Sequence, residues 1–478
     1  MKIISRREFT QLGGTLALTA LTACARKEQP EAGASAAASG DRPNVIFFMT
    51  DDQRFDTLSC AGNRYLKTPN LDRIAREGAY FTNCFVTNSL CGPSRATCLT
   101  GKYSHNTGVR FNEGTFPLEE KTILERAKDY GYTNAFVGKW HNKYWGRDRH
   151  FDYYFGFRGQ GQYQDPRIQE NAGEEKVYPG WVEDVLADHS LDFIRRTHQS
   201  GKPFMLFHWF KTPHQGCIPA ERHKNLFKGV VFPKPPTFDT DYAGKPRAVA
   251  EADMKIGGNG ETSYVQDWNE FIRNYYRVLT GVDENVGRIL TLLDELGIAD
   301  NTLVLFTSDN GYFLGEFRFF DKRLMYEPSL RIPLVMRYPE KIKPGTVVDQ
   351  FALNVDFAPT ILDFCGMPVP DDVDGRSLRP LVEGLPAADW RQDFLYEYYA
   401  YPDWHYVRPH KGIRTWKWKY IHYYDFPKNE YELYDLENDP LEEHNLYGLP
   451  EYEEVARKLA DRLTALRVET RDPDLKFE

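Results

Sequence analysis

The feature that most limits what this chain can fold into is a set of short apolar runs that each end in polar residues. Asn44-Val45-Ile46-Phe47-Phe48-Met49 is almost continuously apolar and then meets Asp51-Asp52. A strand with successive apolar positions has no face to give to water, so it belongs inside a sheet covered on both sides. Asn134 to Val137 leads to Lys139-Trp140-His141, Phe204 to Phe210 leads to Thr212-Pro213-His214, and Thr302 to Phe306 leads to Asp309-Asn310. Between these runs the spacing predicts helices, from Thr68-Pro69-Asn70-Leu71 to Gly78, over Thr122 to Tyr130, over Val182 to Thr197 and over Phe271 to Leu296. The last carries Val278, Leu279, Val282, Val286, Ile289, Leu290 and Leu293 at helical spacing. Alternating strands and helices build a three-layer α/β domain around a mostly parallel sheet. Such sheets bind ligands beyond the carboxyl ends of their strands. Polar exits that hold carboxylates, a lysine and two histidines therefore predict one shared site.

The two ends of the chain have a different texture. Ser5-Arg6-Arg7-Glu8-Phe9 is a twin-arginine export motif, followed by an apolar stretch from Leu12 to Ala23. Leu21-Thr22-Ala23-Cys24 resembles the lipobox of bacterial lipoproteins, which implies lipid on Cys24. Residues 1–24 are thus expected to be an export signal read by the twin-arginine machinery, and residues 25–40, rich in Ala, Gly, Ser and Glu, a flexible tether. The expected location is the periplasm or cell surface, anchored by lipid to a bacterial membrane. No later segment offers a long uncharged apolar run. Residues 41–380 are expected to form the main α/β domain. Beyond about Pro370, Phe394 to Tyr398, Gly412 to Thr415, Trp418 to Tyr423 and Glu432 to Leu436 read as short strands. Val455, Leu459, Leu463 and Leu466 mark a last helix, so residues 381–478 are expected to form a smaller α+β subdomain of antiparallel sheet plus helix. Phe227 to Gly260, rich in Pro, Gly and charge, reads as a long surface excursion.

A net charge of -9 argues against nucleic acid as a partner, because phosphate backbones demand basic surfaces. Apart from Cys24 and Cys91, the cysteines are Cys60, Cys84, Cys98, Cys217 and Cys365, at spacings that match no metal-binding pattern. An exported protein can form disulfides, but the sequence does not pair these residues.

The sharpest motif is Cys91-Gly92-Pro93-Ser94-Arg95, followed by Gly101-Lys102-Tyr103-Ser104-His105-Asn106-Thr107-Gly108. Together these resemble the two signatures of the formylglycine-dependent sulfatases, members of the alkaline-phosphatase-like superfamily, and the resemblance runs from about Asn44 to Tyr447. It implies the sulfatase three-layer fold and hydrolysis of sulfate esters on a carbohydrate. It also implies that a formylglycine-generating enzyme oxidises Cys91 to an aldehyde (3-oxoalanine). The hydrated aldehyde attacks sulfur with one hydroxyl, and the other then expels sulfate, giving covalent catalysis with its own release route. A helix N-terminus at this motif suits a sulfate.

Asp51, Asp52, Asp309 and Asn310 offer only oxygen, which suits Ca²⁺ or Mg²⁺ rather than zinc. The resemblance implies calcium, held by these four and the formylglycine oxygen at position 91, and polarising the sulfate. It further implies that Arg95 buttresses the nucleophile, that Lys139 and Lys322 hold sulfate oxygens, that His141 is the base for sulfate release, and that His214 with Lys322 serves the leaving sugar oxygen. One departure stands out: many carbohydrate sulfatases have Gly-Glu-His where this chain has Gly315-Glu316-Phe317.

Phe157-Arg158-Gly159-Gln160-Gly161-Gln162-Tyr163 looks like sulfatases that act on glycosaminoglycans or algal polysaccharides, so a sulfated oligosaccharide or polysaccharide is the expected partner. Trp140, Trp145, Trp404, Tyr406, Trp416 and Trp418 are candidates for stacking on sugar faces. Two other functions fit the same residues. One is a phosphoesterase or phosphonate monoester hydrolase. The other is a lipid-tethered glycan-binding protein in which Cys91 stays a thiol.

Overall fold

The computed structural model describes residues 42–141, 151–424 and 428–476. The first apolar run is strand β1 (Asn44–Thr50), buried at every position. Strands β2 (Thr133–Lys139), β3 (Phe204–Trp209) and β4 (Thr302–Ser308) are the other three predicted runs. β1 lies between β4 and β3, parallel to both, and β2 lies parallel beyond β3. The register pairs Thr50 with Ser308, Met49 with Trp209, and Trp209 with Gly138. The four carboxyl ends are therefore level, and the polar residues after them emerge side by side. The sheet continues through Tyr153–Phe157, parallel to β2, and through β5 (Leu334–Arg337), antiparallel to β4.

Side chains alternate between the faces of the sheet, and both faces are covered. Helices α1 (Pro69–Arg76), α4 (Val182–Gln199) and α5 (Trp268–Glu295) pack together on one face. Helices α2 (Cys91–Thr100), α3 (Ile123–Lys128) and α6 (Phe357–Phe364) pack on the other. Phe47 meets Phe207 and Phe357 of α6, with centroids 4.9 and 5.7 Å away. On the opposite face His208 Nδ1 lies 2.7 Å from Ser190 Oγ of α4. Burying each of Val45 to Phe48 is worth about 1.5–3 kcal/mol.

Helix starts follow from local chemistry. Thr122 and Glu125 form a reciprocal capping box at α3, and Asp267 caps α5 by accepting the Glu270 amide at 3.1 Å. α1 borrows its cap: Asp283 of α5 accepts the Asn70 and Leu71 amides at 3.0 and 2.9 Å.

The C-terminal strands β6 (Asp393–Tyr398), β7 (His410–Thr415), β8 (Trp418–Tyr423) and β9 (Glu430–Asp435) form an antiparallel meander. Helix α7 (Glu453–Glu469) closes it with Leu459, Leu463 and Leu466. The described residues group as one compact unit.

The stretch from Phe227 to Gly260 departs from the expected surface excursion. It has little regular structure, but Phe232, Phe238, Val249, Met254 and Ile256 are buried. Anchors spaced without a period leave no pattern for a sequence reading to detect. Cys84, Cys98, Cys217 and Cys365 are buried free thiols and Cys60 is an exposed one. Among the described residues no helix is long and apolar enough to cross a membrane. The export signal with Arg6, Arg7 and Cys24, the tether and Trp145 lie outside the described residues.

Candidate active site

The four polar exits converge at one edge of the sheet, and the first turn of α2 brings Cys91 to them. The Cys91 thiol donates to Asp51 Oδ1 at 3.4 Å and lies 3.9 Å from Asp52 Oδ1, while Asn310 Nδ2 donates to its sulfur at 3.6 Å. Asp51, Asp52, Cys91, Asp309 and Asn310 are all buried. Asp52 adopts a left-handed φ of 75°, a strained conformation for a residue with a side chain. Its amide donates to Asp309 Oδ1 at 3.0 Å and its carbonyl accepts the Tyr275 hydroxyl at 2.7 Å. Those bonds hold the strain in place.

The cations are as buried as the carboxylates. Arg95 Nε donates to Asp309 Oδ2 at 2.8 Å and another guanidinium nitrogen lies 3.7 Å from Asp51. Lys139 Nζ donates to Asp51 Oδ2 and to Gln160 Oε1, and Lys322 Nζ lies 2.6 Å from Asp52. Both lysines thus face carboxylates, as a buried ammonium must find partners. His214 Nε2 is 4.0 Å from Asp52 Oδ2, and His141 Nε2 is 3.4 Å from Gln160 Nε2. The Nδ1 atoms of both histidines are buried without a partner among the described residues. Every predicted site residue with described coordinates therefore reaches this cluster or its edge.

Burial raises the Asp52 carboxyl to about 7, against the pull of Lys322 and with help from Asp51 and Asp309. Burial also pushes Asp51 up, but Lys139 foremost, with Arg95 and Lys322, outweighs it and holds Asp51 well below the usual carboxylate range. Burial drives the Cys91 thiol well above its ordinary value, so the unmodified thiol is a poor nucleophile. Burial, reinforced by Lys139, lowers both His141 and His214 well below 6.5 and leaves them neutral.

The donor set fits a hard divalent cation. Three buried carboxylates converge, and Asn310 Oδ1 is buried with no hydrogen-bond partner among the described residues. Ligand atoms of Asp51, Asp52, Cys91 and His214 lie within 4.8 Å of one another, so His214 stands close to the cluster as well. Arg95, Lys139 and Lys322 already face these carboxylates, so their charge is engaged within the cluster.

Sequence reasoning missed several supporting residues. Gln160, within the Phe157 to Tyr163 segment, bridges Lys139 and His141. Lys322 is carried by a strained turn in which Asp321 and Arg323 have φ of 79° and 90°. His405 Nε2 sits 3.1 Å from Asp321 Oδ2, Arg323 Nε lies 3.3 Å from Asp321 Oδ1, and Tyr396 donates to the Arg323 carbonyl at 2.5 Å. The C-terminal subdomain thus braces Lys322. The second signature does similar work: His105 Nδ1 lies 2.6 Å from Glu397 Oε2 on β6.

Phe317 is buried against Lys245 and Tyr326, with Nζ 4.5 Å and the second ring 5.5 Å from its centroid. It lines a cavity of about 890 Å³, with Arg54, Glu316 and Trp268, whose lining includes neither Cys91 nor the three carboxylates. Trp140 is a core residue packed on Phe136, and Trp416 stacks on Phe351 at 3.9 Å. Trp404 and Tyr406 are exposed.

Residues 43–367 match the Sulfatase family, and residues 315–469 match the family described as N-sulphoglucosamine sulphohydrolase, C-terminal. The chain belongs to the sulfatase family. This sulfatase is 36% identical to an N-acetylglucosamine-6-O-sulfatase of Bacteroides thetaiotaomicron, over 96% of this chain and 91% of that one. It is 28% identical to an ulvan-active sulfatase of Formosa agariphila, over 90% and 82% of the two chains. Among solved structures it resembles a protein in complex with its substrate D-glucosamine-2-N,6-O-disulfate, at a TM-score of 0.87 and 36% identity, over 91% of this chain and 100% of that one. The enzyme is a sulfuric ester hydrolase with the sulfatase α/β fold.

Proposed function

We propose that this sulfatase removes the 6-O-sulfate of glucosamine units in a glycosaminoglycan fragment, using formylglycine at position 91 and a bound Ca²⁺. The carrying observation is the buried convergence of Asp51, Asp52, Asp309 and Asn310 on Cys91, flanked by Lys139 and Lys322. The sugar is inferred from the near full-length likeness to relatives named for glucosamine 6-sulfates.

The hydrated aldehyde would supply two hydroxyls on one carbon, one to attack sulfur and one to expel sulfate. The cation, held by Asp51, Asp52, Asp309, Asn310 and the oxygen at position 91, would supply the positive surplus that an anionic ester needs. Arg95 fixes Asp309 and so holds the carboxylate floor still. Lys139 and Lys322 are poised to exchange part of their carboxylate contacts for sulfate oxygens. A neutral His141 can accept a proton during sulfate release, and a neutral His214 can offer an N–H to the departing sugar oxygen.

The test is sulfate release from N-acetylglucosamine 6-sulfate, compared with a 4-sulfated galactosamine, a sulfated algal oligosaccharide and an aryl phosphate. The 6-sulfated glucosamine should be turned over fastest, by enzyme whose position-91 peptide reacts with a hydrazide. Full activity in protein with an intact Cys91 thiol would refute the nucleophile, and preference for another substrate would refute the sugar. We also propose export and lipid anchoring through Cys24, testable by acyl labelling of wild type and of Cys24→Ala.

A further inference from the structure

Lys211 is a buried cation beside the site that the proposed chemistry leaves unused. It follows β3 and precedes His214 by three residues, and it is 3% exposed. Its amide and that of Thr212 donate to Glu183 Oε1 at 3.1 and 2.8 Å, and its carbonyl accepts the His214 amide at 3.1 Å. The Thr212 carbonyl accepts the Asp51 amide at 3.0 Å. The backbone of Lys211 therefore belongs to the strand-end floor that carries Asp51 and His214.

Its ammonium is placed differently. Among the described residues Lys211 Nζ makes no hydrogen bond and no ion pair. It rests over the Tyr163 ring, 4.5 Å from the centroid, and Tyr163 donates its hydroxyl to the His214 carbonyl at 2.5 Å. Lysines this buried are seldom left without an acceptor. Burial and repulsion from Lys139 pull Lys211 down to about 8, so it is still largely charged at neutral pH and an anion beside it would restore its ordinary value.

Lys211 opens onto a shallow pocket of about 600 Å³, also lined by Gln162, Arg167 and Gln215. Arg167 too has no ion pair among the described residues. Gln215 Oε1 is buried without a partner, an acceptor suited to a sugar hydroxyl or N–H. The carboxylate in the lining, Asp165, accepts the Gly180 amide at 2.9 Å.

We infer that Lys211, with Arg167 at the rim, binds a second anionic group of the substrate, next to the sulfate ester that is hydrolysed. The inference rests on the proposed sulfated-glucosamine reading and adds a charge requirement to it. Two groups share the required chemistry: an N-sulfate on the same ring, and the carboxylate of an adjoining uronic acid. A lysine serves either as a point charge, without the fixed fork of an arginine.

The experiment compares wild type with Lys211→Met on three substrates. These are N-acetylglucosamine 6-sulfate, glucosamine 2-N,6-O-disulfate, and a disaccharide of N-acetylglucosamine 6-sulfate with a uronic acid. Lys211→Met is expected to lower kcat/KM at least tenfold, chiefly through KM, on one or both doubly charged substrates, and less than twofold on the singly charged one. The substrate that bears the loss identifies which anion is bound. Lys211→Arg should recover most of that loss with a wild-type melting temperature. Equal losses by Lys211→Met on all three substrates would overturn the inference, because they mark a packing role. Wild-type enzyme that cleaves an aryl sulfate but none of the three sugars would instead overturn the proposed substrate, and the inference with it.

Discussion

Arg95 Nε donates to Asp309 Oδ2 at 2.8 Å with both side chains fully buried, and the same guanidinium donates to the Lys139 carbonyl at 2.5 Å. One side chain thus ties α2, which carries Cys91, to the ends of β4 and β2. Removing one partner of a buried ion pair leaves the other charge uncompensated, at a cost of about 3–5 kcal/mol. Arg95→Met should lower unfolding stability by that order in urea denaturation and abolish turnover. Arg95→Lys should recover part of the stability but not the activity, since an ammonium cannot span both acceptors. A wild-type denaturation midpoint for Arg95→Met would show that the tie carries no stability.

The buried carboxylates predict that stability depends on a divalent cation. Chelation should lower both the melting temperature and activity, and Ca²⁺ should restore them. A cation at about a thousand times its Kd stabilises a fold by about 4 kcal/mol. Asp309→Ala should lose the Ca²⁺-dependent part of the melting temperature along with activity. An unchanged Ca²⁺ response in Asp309→Ala would remove Asp309 from the binding set.

His105 and Glu397 predict a pH dependence of stability. Burial lowers the His105 pKa, but the Glu397 carboxylate outweighs it and raises the imidazole to about 9. A folded value above the unfolded value of about 6.5 means the stabilisation is fully present below about 6.5 and is lost as pH rises through 9. The ceiling is roughly 3 kcal/mol, at about 1.4 kcal/mol for each unit. Wild type should lose melting temperature between pH 7 and 9, and His105→Gln should flatten that slope. An equal slope in both proteins would assign the effect to other groups.

Gly138 shows why a glycine precedes Lys139. Its φ is 113°, and a Cβ there would lie 1.9 Å from the Trp209 carbonyl oxygen. Gly138→Ala therefore forces β2 away from β3 next to Lys139. The expected result is a loss of about 1–3 kcal/mol, the usual range for backbone strain, with a larger relative loss in kcat than in KM. Wild-type kinetics in Gly138→Ala would mean that the strand ends can separate without moving Lys139.

Legibility in the sequence followed range. Asp51, Asp52, Asp309 and Asn310 could be read because each directly follows an apolar run, and a parallel sheet collects such exits at one edge. The helices could be read from the spacing of residues such as Val278, Val282 and Val286. Contacts between distant segments left no such mark. Gln160 meets Lys139 across 21 residues of chain, and His405 meets Asp321 across 84. Lys211 carries no such mark although it adjoins Thr212-Pro213-His214, because a lysine in a loop ordinarily points to water. Phe317 stands where many carbohydrate sulfatases have His, and its ring packs on Lys245 and Tyr326.

The brace on Lys322 gives the last prediction. His405 is fully buried, and its Nε2 lies 3.1 Å from Asp321 Oδ2 while its Nδ1 faces the Asp253 carbonyl at 2.7 Å. Burial pushes the Asp321 carboxyl up, but Lys322, His405 and Arg323 together hold it well below the usual range, so it is charged and acts as the clasp of the strained turn. The two left-handed residues that flank Lys322, at about 1–3 kcal/mol each, relax once their contacts are lost. His405→Ala should therefore release Asp321 and let Lys322 drift from Asp52, although position 405 lies outside the Cys91 cluster. The expected outcome is a fall in kcat/KM of about tenfold to a hundredfold, the usual effect of a small displacement of a catalytic group, with calcium content and aldehyde content at position 91 unchanged. His405→Gln keeps one donor toward Asp321 and should recover much of the loss. Equal damage by Ala and Gln, or loss of bound calcium in either, would mean that His405 supports the fold at large and not the position of Lys322.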